Sequence, residues 1–201
     1  MRENEILSNI ESVYNETYIK AENLPKPYRG KGIIKAVLLG TDPGNCSIGE
    51  TKRLQYVFGL EDINTPYFSE IKKNLEALKN LSIDNLFIQN ICKNYFNCDA
   101  SNNKYWKEIA LLWLPLISEE LDSEYSKDIP VLISAEIIMD IILKDSGDKM
   151  KADYYYSNLV IVESEKNVFN RTVIPFYRHY KYNLSNWDSY REKVDNYFKN
   201  G

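Results

Sequence analysis

With 201 residues, the chain has room for one domain with a sizeable core, and for two small ones only with difficulty. Its apolar content of 44% and charged content of 27% are those of an ordinary globular protein, and no apolar run approaches the ~20 residues that a membrane-crossing helix needs. The net charge of −4 argues against a protein that grips nucleic acid over a broad surface, because contacts to phosphate dominate such affinity.

The first residues, MRENEILSNIESVYNE, are polar and acidic and lack the basic-then-apolar pattern of a secretory signal, so a cytoplasmic protein is expected. Ile6, Ile10, Val13, Tyr14 and Ile19 recur at roughly helical spacing and predict a helix over 4–20. Pro25 and Pro27 end it, and a connector follows through Gly30 and Gly32. The run IIKAVLLG (33–40) predicts a buried strand, stopped by the turn residues Thr41-Asp42-Pro43-Gly44. Thr65-Pro66 has the form of an N-cap with proline at the first helical position, and the helix is expected to run to about Lys79. NLFIQN (85–90) predicts a second buried strand. Residues 105–122 predict a helix rich in large apolar side chains, with Pro115 as a point of kinking. IPVLIS (129–134) predicts a third strand, after which Ser134 is placed to cap a helix over 135–144. NLVIVE (158–163) has the pattern of a further strand, and RTVIPFY (171–177) predicts the last one. Ser185 is placed to cap a C-terminal helix, with Asp188 favourable in its first turn.

Strands alternating with helices imply a single domain over 1–201, with 1–32 as its N-terminal helix and connector. The expected fold class is α/β: a three-layer α/β/α sandwich around a mostly parallel sheet of about four strands. A monomer is expected. Ligands of such sheets sit beyond the carboxyl ends of the strands. That rule selects TDPGNCS, QNICKNY and RHYKYN, which follow the first, second and last of these strands.

Each of the three segments carries one residue suited to chemistry. Asp42 is a carboxylate at a strand's carboxyl end, able to orient a water or stabilise a developing cation, although Asp-Pro-Gly also makes a plain tight turn. Asn90 ends the second strand, and its amide can read a donor and an acceptor on a base edge or simply cap its own loop. His179 is the one histidine, set among Arg178, Tyr180 and Lys181; cationic neighbours would keep it neutral and able to donate to an oxyanion, and a packed or surface histidine is the other reading. Cys46, Cys92 and Cys98 are odd in number, form no C-x-x-C and are poorly spaced for a metal, so reduced thiols and no metal or other cofactor are expected. Lys52, Arg53, Lys93, Arg178 and Lys181 lie close to the three segments and form a candidate local DNA-binding patch on an acidic chain, or ordinary solvated cations.

Together the segments resemble the uracil-DNA glycosylase superfamily. VLLGTDPGN resembles its first motif, an apolar strand ending in G-x-x-P; NLFIQNICKNY resembles the region where a strand ends in the Asn that reads the base; VIPFYRHYKYN resembles the third motif, a strand ending in His. The resemblance spans roughly residues 33 to 199. It implies hydrolysis of the N-glycosidic bond of uracil or a related damaged base in DNA, as in base excision repair, with Asp42 and His179 catalytic. Asn90, Gly40, Thr41 and Gly44 would then surround the base, and Tyr56 or Phe58 would stack on it. DNA bound weakly through a local basic patch, or a small nucleobase, is the implied partner, with no membrane involved.

Three departures stand out. The uracil-specific pattern Gln-Asp-Pro-Tyr is Thr41-Asp42-Pro43-Gly44 here, and Gly44 lacks the ring that blocks a thymine methyl group. His179 is followed by Tyr180 where the motif has Pro-Ser, which alters the loop that wedges into DNA. The four cysteines of the iron–sulfur branch, an N-terminal pair among them, are absent, so no cluster is expected. An inactive superfamily member that binds a nucleotide, a modified base or a protein partner is the alternative. A further alternative is an unrelated α/β hydrolase acting on a small nucleoside or ester; against the ester hydrolase, the chain has no G-x-S-x-G, and Cys46 has no neighbouring base other than His179.

Overall fold

The computed structural model describes residues 2–44, 54–66, 68–144, 150–176 and 188–199. Strands β1 (Tyr18–Ile19), β2 (Tyr28–Arg29), β3 (Ala36–Gly40), β4 (Leu86–Asn90), β5 (Tyr95–Phe96), β6 (Val131–Ile133) and β7 (Val173–Pro175) alternate with helices. The helices are α1 (Glu3–Val13), α2 (Ser69–Glu76), α3 (Trp106–Glu124), α4 (Glu136–Ile142), α5 (Ala152–Ser157) and α6 (Asp188–Lys199). The result is a mixed α/β structure built on a mostly parallel five-stranded sheet in the order β2-β4-β3-β6-β7.

The centre of that sheet follows directly from the apolar runs. β3 pairs in parallel with β4 from Ala36 opposite Leu86 to Gly40 opposite Asn90, and with β6 through Leu38 opposite Leu132. All five residues of β3 and all five of β4 are buried, as expected for strands covered on both faces. Side chains alternate across the sheet. Val37, Leu39, Phe87, Val131 and Ile133 join one cluster with α1, α3, α4 and α5. Ala36, Leu38, Leu86, Ile88 and Leu132 join another with α2 and α6. Each large aliphatic side chain buried this way contributes about 1.5–3 kcal/mol. Pro175 is tolerated because β7 is an edge strand.

Several expected elements differ. The sheet has five strands, the fifth being the short β2, antiparallel on β4. The first helix stops at Val13, and Ile19 pairs with Tyr95 in a separate two-stranded sheet of β1 and β5. Residues 158–163 are not a ladder strand: Leu159 takes a φ of 54°, which breaks the extended run, and Val162 makes a single bridge to Val173. Thr65 and Pro66 lie in a turn before α2, which starts at Ser69 and ends at Glu76 because the Asp195 carboxylate takes over the N–H groups of Lys79 and Asn80. Ser134 does not cap α4; its hydroxyl donates to the Leu39 carbonyl and so ties β6 to β3. Helix α5 was not expected. The Ser185 cap lies outside the described residues, whereas Asp188 does open α6.

This topology creates one favoured place for a ligand. From β3 the chain returns to β4 on one side, and from β6 to β7 on the other. The connections therefore diverge between β3 and β6, and a crevice opens there at the carboxyl ends of the strands. No described helix is long and apolar enough to cross a membrane.

Candidate functional site

A cavity of about 910 Å³ occupies that crevice. Thr41, Asp42, Pro43 and Gly44, which follow β3, line it on one side, and Ala135, Glu136 and Ile137, which follow β6, on the other. Phe58 also lines it.

Asp42 is fixed by donors at both oxygens. Its Oδ1 accepts the Gly44 backbone N–H at 3.0 Å, and its Oδ2 accepts the indole N–H of Trp106 at 3.0 Å. The first bond closes a tight Asx-type turn, and Gly44 takes a φ of 90° to make it. The second comes from the first residue of α3, a tryptophan with no exposed surface. Asp42 is half-buried and lines the cavity. Its field is felt nearby. Burial, and then the Asp42 charge, push the fully enclosed Cys92 thiol well up, and burial, Asp42 and Asp99 raise Cys98. Both are free thiols held protonated at neutral pH, so neither serves as a thiolate nucleophile; Cys46 lies outside the described residues.

Behind Asp42, at the end of β3, Gly40 makes room for two side chains. A Cβ there would stand 2.4 Å from Phe58 Cζ and 2.5 Å from Asn90 Oδ1. The absent methyl thus lets an aromatic ring and an amide close on the same point. Asn90 is 1% exposed, yet neither Oδ1 nor Nδ2 has a hydrogen-bond partner among the described residues. Leaving a buried amide unpaired costs about 1–3 kcal/mol. Phe58 reaches this place through a left-handed backbone, φ 58° and ψ 8°, which costs a non-glycine residue about 1–3 kcal/mol. Its ring meets Phe68 edge-on, with centroids 6.0 Å apart.

The structure therefore brings Thr41, Asp42, Gly44 and Phe58 to the cavity, and sets Gly40 and Asn90 against Phe58 behind its wall, where they do not line it. It separates two other expected residues from them. Of the two aromatic candidates for stacking, Phe58 lines the cavity, while Tyr56 bridges to Lys26 and packs edge-on against Tyr28. Lys93 does not line it either; its ammonium is paired with Glu3 at 3.1 Å and Glu120 at 2.5 Å and lies over the Trp113 ring. An ammonium so engaged, with 11% of its side chain exposed, is poorly placed for a phosphate. His179, Lys52, Arg53, Arg178 and Lys181 lie outside the described residues.

Neither a family model nor a curated protein matches this chain. The resemblance to the uracil-DNA glycosylase superfamily is thus one of sequence motifs alone.

Other residues at or behind the cavity escaped the sequence reading. Trp106 looks like one more apolar residue of a buried helix, and no spacing marks its N–H. Glu136 was accessible in principle, since the strand-end rule applies to β6 as much as to β3. Asp99, Asp140 and Asp153 add carboxylates, against Lys107 and Lys151; Lys107 is bound to Asp140 at 2.7 Å. The described lining is accordingly acidic.

Proposed function

We propose that this chain is a DNA glycosylase of the uracil-DNA glycosylase type, hydrolysing the N-glycosidic bond of uracil or a related damaged base. The observation that carries this reading is the Asn90 amide, buried and unpaired beside Phe58 and Gly40. Its Oδ1 would accept the ring N–H of a flipped base and its Nδ2 would donate to the adjacent carbonyl, giving both atoms partners. Phe58 would stack on that base. Asp42 would stabilise the oxocarbenium-like sugar and orient the attacking water, with its own direction set by two donors. His179 would donate a hydrogen bond to the base oxygen as negative charge grows on it. A parallel sheet with its crevice at the end of β3, and helices joined to clusters on both faces, supports a glycosylase-like three-layer fold.

The acidic lining favours a second reading, an inactive relative that binds a small nucleobase or nucleotide in the same cavity. One experiment decides between them. Purified protein is incubated with oligonucleotides carrying uracil, hypoxanthine or mismatched thymine, and abasic sites are counted. The glycosylase reading expects abasic sites, with Asp42→Asn and His179→Ala each lowering the rate about 100-fold at nearly unchanged stability. Equal rates in wild type and both variants overturn the assignment. Binding to the uracil duplex should be weak and steeply salt-dependent. Absence of binding to any oligonucleotide at low salt selects the small-ligand reading.

A further inference from the structure

We infer that Trp106 is a positioning residue for Asp42: its indole N–H fixes the direction of the carboxylate and favours the ionised form. The consequence for rate rests on the glycosylase reading above; the effect on Asp42 itself does not. Three observations carry the inference. The Nε1–H donates to Asp42 Oδ2 at 3.0 Å. Trp106 has no exposed surface and Asp42 is half-buried, so the donor is held by the core and the bond is partly shielded from water. The other oxygen, Oδ1, is held by the Gly44 N–H, so the two donors together define the plane of the carboxylate.

The chemistry explains why a tryptophan suits this place. An indole N–H donates and never accepts, so it bonds the carboxylate, the stronger acceptor, better than the protonated acid, whose O–H it cannot receive. A rigid ring locked in the core also cannot swing away, unlike a lysine or serine donor. The surroundings push the other way. Cys92, Cys98 and Asp99 stand close to Asp42, and the thiols feel its charge. From α4 and the start of α5, Glu136, Asp140 and Asp153 line the same cavity, and the cations among the described lining residues are Lys107 and Lys151. Neighbouring carboxylates disfavour another negative charge. Trp106 opposes that tendency by a directed bond to the carboxylate.

The test is direct titration of Asp42 by carbonyl-carbon NMR in the full chain, with Asp42→Asn used to assign the signal. In Trp106→Phe an aromatic ring is kept, at smaller volume, and the donor is lost. Its Asp42 midpoint is expected about one pH unit higher than in wild type. Trp113→Phe is the matched control: it removes a buried indole N–H from the same helix, bonded at 2.8 Å to Asn94, and should leave the Asp42 midpoint where it was. In wild type alone, the Trp106 indole N–H signal should titrate with the Asp42 midpoint, and that titration should vanish in Asp42→Asn; this arm stands even where Trp106→Phe fails to fold. An unmoved midpoint in Trp106→Phe, or an indole signal blind to Asp42, overturns the inference. Where base release is measured, Trp106→Phe should lower kcat about tenfold with KM little changed, and shift the acid limb of the profile upward. A wild type that releases no base defeats the glycosylase reading while the NMR arms still decide on Trp106.

Discussion

Two buried polar side chains, at opposite ends of the same sheet, are treated in opposite ways. Arg171 precedes β7 at the amino end of the strands and has no exposed surface. Its guanidinium donates to the carbonyls of Leu121, Tyr125, Ser126 and Ile129 and to the Asp122 carboxylate, so that only Nε is left over. Those carbonyls belong to the last turn of α3 and the loop into β6, so one cation closes the helix end and joins three segments. Asn90 lies at the carboxyl end with the same burial and no side-chain partner among the described residues. The difference teaches where to look for a ligand. A buried group satisfied by its own chain belongs to the fold, whereas one left unpaired calls for a partner from outside.

The largest expected effect tests the first half of that contrast. Arg171→Met should lower stability by about 3–5 kcal/mol, because it strands several buried carbonyls, while Asp122 keeps its pair with Lys127. Denaturant unfolding measures it. Whatever folds should retain base release, since Arg171 touches nothing in the cavity. A loss below about 1 kcal/mol would break the contrast at its structural end.

Asn90→Leu tests the other half. Replacing an unpaired buried amide by an apolar side chain of similar size removes a desolvation cost, so stability should stay level or rise by about 1 kcal/mol. Base binding, measured by fluorescence or calorimetry, should be lost. A variant that loses 3 kcal/mol or more of stability, as Arg171→Met is expected to, would place Asn90 among the structural polar groups and remove the carrying observation for the site.

The two ends also differ in how well the sequence announces them. The strand ends at Gly40 and Asn90 are visible as apolar runs stopped by turn residues, and the rule for parallel sheets then points at Asp42 without further help. The role of Gly40 as space for Phe58 and Asn90 is not visible, because it depends on a left-handed turn 18 residues later in the chain. Trp106 is illegible for a related reason: its neighbour in space, Asp42, is 64 residues away, and a helix of apolar residues gives no sign of which one turns a polar atom inward. Arg171 opens the run RTVIPFY, and nothing in that run marks a buried cation. Only the assembled end of α3 shows why a cation is buried there. The short strands β1, β2 and β5, two residues each, fall below the length at which alternation carries information.

Cys92 sharpens the contrast through pH. Burial and the Asp42 charge raise its folded value above the ordinary thiol value of 9.0. A thiol raised on folding leaves stability intact below its unfolded value, and stability falls as pH rises beyond it, because the unfolded chain releases the proton first. The thiol should therefore contribute a decline of roughly 1 kcal/mol between pH 9 and 10, on top of any slope from the tyrosines. Unfolding of wild type and Cys92→Ala across that window measures the difference in slope, in which the tyrosines cancel and which the small cavity left by alanine does not affect. Parallel slopes would mean that burial and the Asp42 charge together do not hold Cys92 protonated.

The smallest effect concerns the methyl group that distinguishes thymine from uracil. A bulky residue after Asp-Pro would shield that position, and Gly44 leaves it open. Even a pocket built to exclude one methyl gains only about 1–3 kcal/mol, so discrimination by this chain should fall well below that, within a few-fold between uracil and thymine in the same mismatch. Restoring a ring by Gly44→Tyr should not restore selectivity. Gly44 holds a φ of 90°, which side chains rarely adopt, and its N–H holds Asp42 Oδ1. The substitution strains that turn, and any relief moves the carboxylate together with the gatekeeper. Release of both bases should therefore fall in parallel, with their ratio unchanged, in a comparison of single-turnover rates on matched uracil and thymine oligonucleotides. A Gly44→Tyr protein that keeps its uracil rate and rejects thymine would show that the turn bond to Asp42 is dispensable.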